Sequence, residues 1–365
     1  MANQLQRVFG LIREDDDEYG VVPTSGSPAV DSGPDFHMEI TESSIPIEGD
    51  LLTVESGSRG TRLKRPGTYL PQPEIEGVVD LKQITHFLLG ALGEYVYTAG
   101  ATEDDKNIHE FYGGENRKLP SFTSYGHFDE FIKKVKGTLI TSLSMEVSNE
   151  FITLSVGCVA QKDQIIDDMP DATELKTVDA VIPLAFYDVT LELDGETPPG
   201  IVSSFKWEIT NDISTDDSIG IGSRFLTIKP AAGKRTNTVE MEVSLETDTV
   251  KYIRMFEYGE EDADEPSECK IAHIPLTVVF AACEDSSEKL TIKFPDCTGQ
   301  VEYSASGADA IMLNLTLDSM KTTNVELNDG VTEVETDVYC KLENKVPKVV
   351  AGGITMPTAP VDDDD

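Results

Sequence analysis

The residue types that do chemistry are present but scattered. Five histidines, His37, His86, His109, His127 and His273, stand apart, and none has a second ligand-type residue at the spacing a metal site needs. The acidic runs Asp15–Asp17 and Asp362–Asp365 attract cations but lack the spaced oxygens and the glycine of a calcium loop. Gly220-Ile-Gly222 lacks the third glycine and the strand–helix setting of a dinucleotide loop. No Gly-x-Ser-x-Gly and no phosphate-binding Gly-Lys-Ser/Thr occurs. Asn314-Leu-Thr316 matches a glycosylation acceptor but falls inside a strand pattern. The five cysteines (158, 269, 283, 297, 340) are odd in number and show no Cys-x-x-Cys spacing, which predicts free thiols in a reducing compartment. The expectation is a protein that is not an enzyme and holds no metal and no cofactor.

What does repeat is a pattern of charge. Phe36-His-Met-Glu39-Ile-Thr41 returns as Phe205-Lys-Trp-Glu208-Ile-Thr210. A polar loop with Gly-x-Arg follows each, Gly60-Thr-Arg62 and Gly222-Ser-Arg224. Each loop runs into a strand with paired glutamates, Glu74-Ile-Glu76 and Glu240-Met-Glu242, and then into a helix near Leu81–Leu92 or Thr249–Tyr258. Four features recurring in order about 165 residues apart indicate a duplicated domain. Strand alternation puts Glu74 with Glu76, and Glu240 with Glu242, on one face, with Glu39 and Glu208 on the strands entering the loops. The first loop also carries Arg59, Arg62, Lys64 and Arg65, four basic residues within seven positions. That cluster reads either as a solvated loop or as one that reaches an acidic surface of another subunit. Arg224, Lys229, Lys234 and Arg235 stand at the equivalent place in the second unit.

The 365 residues suit two domains, each with its own core. Against 29 basic residues stand 67 acidic ones, a net charge of −38. So acidic a surface argues against binding a nucleic-acid backbone. Its self-repulsion calls for screening, so the expected setting is salt-rich, a halophilic one. The N-terminus has no apolar core of signal-peptide length and no apolar run approaches a membrane span, so a soluble protein is expected.

Along the chain, residues 1–34 read as an N-terminal arm, 35–165 as the first domain, 166–180 as a linker, 181–320 as the second domain, and 321–365 as a C-terminal hairpin with an acidic tail. The first strand is expected over His37–Ile47 and the first helix from an Asp80 cap, with Gln83 completing a capping box and Gly93 ending it. Residues 94–136 read as a polar insert with one strand near Ser121–Tyr125. Gly137–Gln161 is the best hairpin signal, turning at Asn149-Glu150. Later strands are expected at His273–Ala282, Lys289–Phe294 and Ala310–Leu317, and a short turn at Asn328-Asp329-Gly330.

The chain resembles the tail tube (major tail) proteins of long-tailed bacterial and archaeal viruses. The likeness is carried by Gly137-Thr-Leu-Ile-Thr-Ser-Leu-Ser-Met-Glu-Val147 running into Phe151-Ile-Thr-Leu-Ser-Val-Gly157, and by the strand–long loop–strand–helix order from Phe36. It covers roughly residues 30–320. The resemblance implies a mainly β fold of two tandem tube-type sandwiches or open barrels, each with a flanking helix and with extended loops and tails. It implies a structural virion protein whose rings join their inner sheets, stack by the long loop, and pass viral DNA without binding it. Rings in that family use six units, so three duplicated chains would make a homotrimer with pseudo-sixfold symmetry. A hexamer showing one repeat per chain to the lumen is the alternative. On this reading Glu39, Glu74, Glu76, Glu208, Glu240 and Glu242 face the lumen, or else an ordinary outer surface. The basic residues of the two loops make the stacking contacts. The implied partners are further copies and the tail terminator and distal tail proteins, with no membrane, in a tail assembled in the host cytoplasm. A distal or hub protein of the same fold, or a tandem immunoglobulin-like surface protein, are the other readings.

Overall fold

Apolar and polar residues alternate through most of the chain, the pattern of strands that bury one face. The computed structural model describes residues 8–25, 30–31, 34–35, 38–49, 51–54, 63–102, 105–128, 130–167, 183–281, 288–304, 311–350 and 353–355. It is mainly β, with a large antiparallel sheet and two short helices. The first half supplies β1 (Val8–Arg13), β2 (Glu42–Ser44), the hairpin β3 (Leu51–Val54) and β4 (Leu63–Pro66), β5 (Glu74–Val78) and α1 (Ile84–Leu92). The hairpin β6 (Gly93–Thr98) and β7 (Asn107–Gly113) follows, then β8 (Phe122–Phe128), β9 (Phe131–Val147), β10 (Thr153–Val159) and β11 (Lys162–Ile166). The second half supplies β12 (Val189–Leu193), β13 (Val202–Ile213), β14 (Ala232–Ser244) and α2 (Val250–Ile253), continued by a π turn at Arg254–Tyr258. After it come β15 (Ile274–Ala281), β16 (Lys289–Ser304), β17 (Met312–Ser319), the hairpin β18 (Thr322–Glu326) and β19 (Glu333–Thr336), and β20 (Tyr339–Asn344).

Eight of these strands form one continuous antiparallel layer in the order β2, β5, β10, β9, β13, β14, β17, β16. The first four belong to one half and the last four to the other, in the same order. Behind this layer the start of β9 pairs with β8 and β11, and β8 pairs with β1. The start of β16 likewise pairs with β15 and β20, and β15 with β12. Seven strands of one half therefore have a counterpart in the other, β1 with β12, β2 with β13, β5 with β14, β8 with β15, β9 with β16, β10 with β17, and β11 with β20, while the hairpins β3–β4, β6–β7 and β18–β19 stand outside this correspondence. The helices correspond too, since Val78 ends β5 before Ile84 begins α1, and Ser244 ends β14 before Val250 begins α2.

The two longest strands each serve both layers. In β9 the crossover is at Gly137, whose φ of 65° and whose approach to the Tyr19 ring exclude a side chain. Pro295 stands at the matching bend of β16, where the ladder changes partners and a donor is not needed. One hydrophobic cluster runs through both halves, from Phe9 to Val349. Trp207 and Phe294 meet edge to face in it, with ring centroids 5.7 Å apart.

Several expectations are corrected. Residues 8–13 are not a free arm, because β1 pairs with β8 and buries Phe9, Leu11 and Ile12. Glu14, also buried, accepts from Thr123 Oγ1 and the Gly137 and Gly20 amides, which docks the chain there. The stretch His37–Ile47 is not one strand: Met38–Glu39 pairs with β1 in the rear layer, and the front layer begins at Glu42. Residues 94–136 hold two further strands, β6 and β7, and β7 pairs with β20. That pairing builds the C-terminal stretch into the sheet instead of leaving it as an appendage. Helix α1 starts after Gln83; Asp80 caps the preceding turn, its Oδ1 accepting the Lys82 amide at 2.9 Å. Gly93 ends the helix as expected, with φ 89°. Most of the 166–180 linker and the acidic tail after Thr355 lie outside the described residues. No described helix is long and apolar enough to cross a membrane.

Candidate functional site

The strands of the eight-stranded layer other than β2, which is Glu42-Ser43-Ser44, put apolar side chains on the rear and polar ones on the front. Leu143, Met145, Phe205, Trp207, Ile209, Val239, Met241, Leu313, Leu315 and Leu317 are buried behind it. Residues two apart share a face, so the register defines rows across the front. One row runs Glu42, Glu76, Ser155, Ser144, Glu208, Thr238, Asp318, Thr298. Another runs Thr153, Glu146, Lys206, Glu240, Thr316, Gln300, and the next joins Glu242, Asn314 and Glu302.

Of the acidic residues singled out from sequence, Glu74, Glu76, Glu208, Glu240 and Glu242 lie on this one face. Glu39 does not, since its strand pairs with β1 and its side chain lies outside the described residues. Sequence reading missed four acids of the same face, Glu42, Glu146, Glu302 and Asp318; their alternation with buried neighbours was the available signal. Lys206 sits among these carboxylates, bridged to Glu208 at 2.9 Å. That hydrogen bond holds its pKa above the usual lysine value. Glu242 is half-buried and accepts from Ser203 Oγ, while Glu42, Glu74, Glu76, Glu146, Glu240, Glu302 and Asp318 are exposed, a charge that repels polyanions.

The register also measures the slant of the strands. Following partners from Glu74 through Gly157, Ser142 and Thr210 leads to Thr236, four residues before Glu240, the counterpart of Glu74. One residue of drift per strand, at about 3.3 Å rise and about 4.8 Å spacing, is a tilt of roughly 35°, within the range of closed barrels.

The halves meet at a seam, where β9 pairs with β13 from Ser142 opposite Thr210 to Val147 opposite Phe205. The layer then ends at two open edges. One is the extended stretch Glu42–Glu48, which pairs inward with residues 70–76 in a single register. The other is Thr298–Ser304 of β16, which among the described residues pairs only with β17. These edges are the counterparts of the two strands of the seam. Ser44 and Lys206 face Glu74 and Glu240, so Ile45 corresponds to Trp207. Ser142 and Gln300 face Gly157 and Thr316, so Tyr303 corresponds to Met145. Pro46 does not block its edge. Its carbonyl accepts the Gln72 amide at 2.9 Å, so the position lacking an N–H points inward and Ile45 and Ile47 point out.

The basic residues divide. Arg59 and Arg62 lie outside the described residues. Lys64 and Arg65 are exposed on β4, opposite Thr53 and Leu52, on a two-stranded arm that among the described residues pairs only with itself. The matching loop of the second half is folded back on the first: the Arg224 carbonyl accepts the Tyr69 amide, and its guanidinium lies 5.0 Å from the Tyr69 ring centre. The Tyr69 hydroxyl is bound to Asp163, and burial with that bond pushes its pKa up to about 12. Arg235 grips Asp337 through two bonds, 2.6 and 3.1 Å. Burial lowers the Lys229 pKa, and Lys234 is exposed.

Among the described residues no group of three His, Cys, Asp or Glu side chains is placed to hold a metal ion. No protein-family model matches the chain, and no curated protein matches it.

Proposed function

We propose that the chain is a structural virion protein whose copies close into rings and stack as a viral tail tube. The observation that carries this reading is the seam. Two equivalent four-strand sets already join edge to edge within one chain, and the outer edges are the counterparts of the edges joined. Open edges are a liability that natural sheets avoid. Repeating the seam between copies removes both at once, with the head-to-tail geometry that closes a ring. Each half then acts as one tube-type unit, and three chains supply six units and twenty-four strands. At a tilt of roughly 35° such a barrel is about 45 Å across its backbone, wide enough for a duplex. Its wall would be the carboxylate-rich face, which lets a polyanion slide without adhering. The role is structural, not catalytic, and the partners are further copies and the proteins that end the tail. Negative-stain microscopy with mass photometry tests it: the expected result is rings of three chains and stacked tubes, and a monomer at all salt concentrations overturns it.

A further inference from the structure

Two surfaces that ring closure leaves uncovered lie at opposite ends of the eight-stranded layer. At one end, where Ile47–Glu48 pairs with Leu70–Pro71, stands the β3–β4 arm. Leu51 and Leu52 are each 60% exposed on it, beside the exposed Lys64 and Arg65. At the other end, past Val78 and Val147, four large apolar side chains, Phe151, Phe186, Tyr187 and Ile201, are 47% to 71% exposed.

They form one patch by construction. Phe151 bridges to Ala185, and the Phe186 amide donates to the Glu150 carbonyl. The Phe186 and Tyr187 rings meet edge to face at 5.3 Å, and Phe186 and Val202 line one furrow. The Ile201 amide donates to Ser244 Oγ at 2.8 Å. Exposed Glu150 and Glu246 flank the patch, and segments 147–153, 184–188 and 199–203 contain no lysine or arginine.

An exposed apolar patch of this kind marks a protein contact. Neither surface complements itself: one is apolar with cations, the other apolar with carboxylates. They complement each other, and they point in opposite directions along the strands. Such a pair makes a heterologous contact that repeats without closing. We infer that the partner is a second copy of this chain: the β3–β4 arm of one copy seats on the Phe151–Phe186–Tyr187–Ile201 patch of the next copy along the axis. Leu52 and Arg65, a cross-strand pair on one face of the arm, meet the patch, Leu52 covering the aromatic rings and Arg65 approaching Glu150 and Glu246. Charge sets the orientation and the apolar contact holds it. This rests on the tube reading and names the surface that receives the arm.

The test uses two variants of the full chain, Leu51→Asp/Leu52→Asp in the arm and Phe186→Asp/Tyr187→Asp in the patch. All four positions are exposed, and circular dichroism checks folding. Each variant alone should give three-chain rings without tubes. Mixed, they should stop at double rings of twice the mass, because intact arms of one meet the intact patch of the other. A Leu52→Cys chain mixed with a Tyr187→Cys chain of different mass should form an interchain disulfide mapped to those two residues. Tubes formed by the patch variant alone, or rings of the wild type that never stack, overturn the inference while leaving the ring reading standing. A wild type that stays monomeric overturns both.

Discussion

Met145 of β9 and Trp207 of β13 stand opposite one another in the seam, and neither reaches solvent. Their counterparts at the two ends of the layer are Tyr303, 52% exposed, and Ile45, half-buried. The same pairing is thus made once inside the chain and left open at its ends. The difference in exposure is what association would remove.

Edge variants should separate folding from ring closure. Ile47→Pro removes an outward N–H, and Tyr303→Asp puts a carboxylate opposite Ile45 of the next copy. Both should give folded monomers by mass photometry under conditions where the wild type forms rings. Ile45→Cys with Tyr303→Cys in one chain should instead give covalent trimers on a non-reducing gel. Rings formed normally by both edge variants would falsify the closure.

Trp207 anchors the seam within the chain. Trp207→Ala leaves a cavity against Phe294 and Met145 and should cost about 3–5 kcal/mol. The check is the denaturant midpoint, with the slope unchanged. A loss below about 1 kcal/mol would mean that the halves do not depend on this pair.

Charge on the front face should govern traffic along it. Replacing Glu74, Glu76, Glu240 and Glu242 by Lys keeps polar side chains at exposed or half-exposed positions, so rings should persist. The wild type should show no salt-dependent binding of duplex DNA, and the variant should bind with an affinity that falls steeply as salt rises. In particles the variant should slow genome passage. Equal DNA binding by both proteins would place these residues away from the lumen.

His109 makes stability depend on pH. Its Nε2–H donates to the Val346 carbonyl at 2.9 Å and its Nδ1 accepts from the Tyr95 hydroxyl at 2.8 Å, the pattern of a neutral ring. Burial lowers its pKa to about 4, against about 6.5 when unfolded. The unfolded state therefore binds the proton first as pH falls. Stability from this group is complete above about pH 6.5 and is lost toward pH 4, by about 3 kcal/mol. His109→Gln keeps one donor and one acceptor without titrating. Denaturation midpoints at pH 7 and pH 5 should fall more for the wild type than for the variant, and equal falls would contradict the assignment.

Local pattern was enough for much of this protein. Alternation in Phe205–Ile209 and Val239–Val243 determined which side chains are buried, because strand geometry sends successive residues to opposite faces whatever lies beside them. The paired glutamates were legible for the same reason, as were the Gly137–Gln161 hairpin and the stop at Gly93, whose causes are local. Neighbours were not legible. Phe9–Arg13 pairs with Phe122–Gly126 more than a hundred residues away, and nothing in either segment names the other. The Phe-x-x-Glu-Ile-Thr likeness placed Glu39 with Glu208, yet the tertiary fold sends Glu39 to the rear layer and gives Lys206 its counterpart in Ser44. The strand expected to end at Phe294 runs on to Ser304, past Gln300, Val301 and Tyr303. That their edge is open and matches the edge at Ile45 follows only from the order of the sheet. A strand's sequence specifies its two faces, while its two edges are backbone, alike for every residue, and only the packing of the whole chain decides which of them finds a partner.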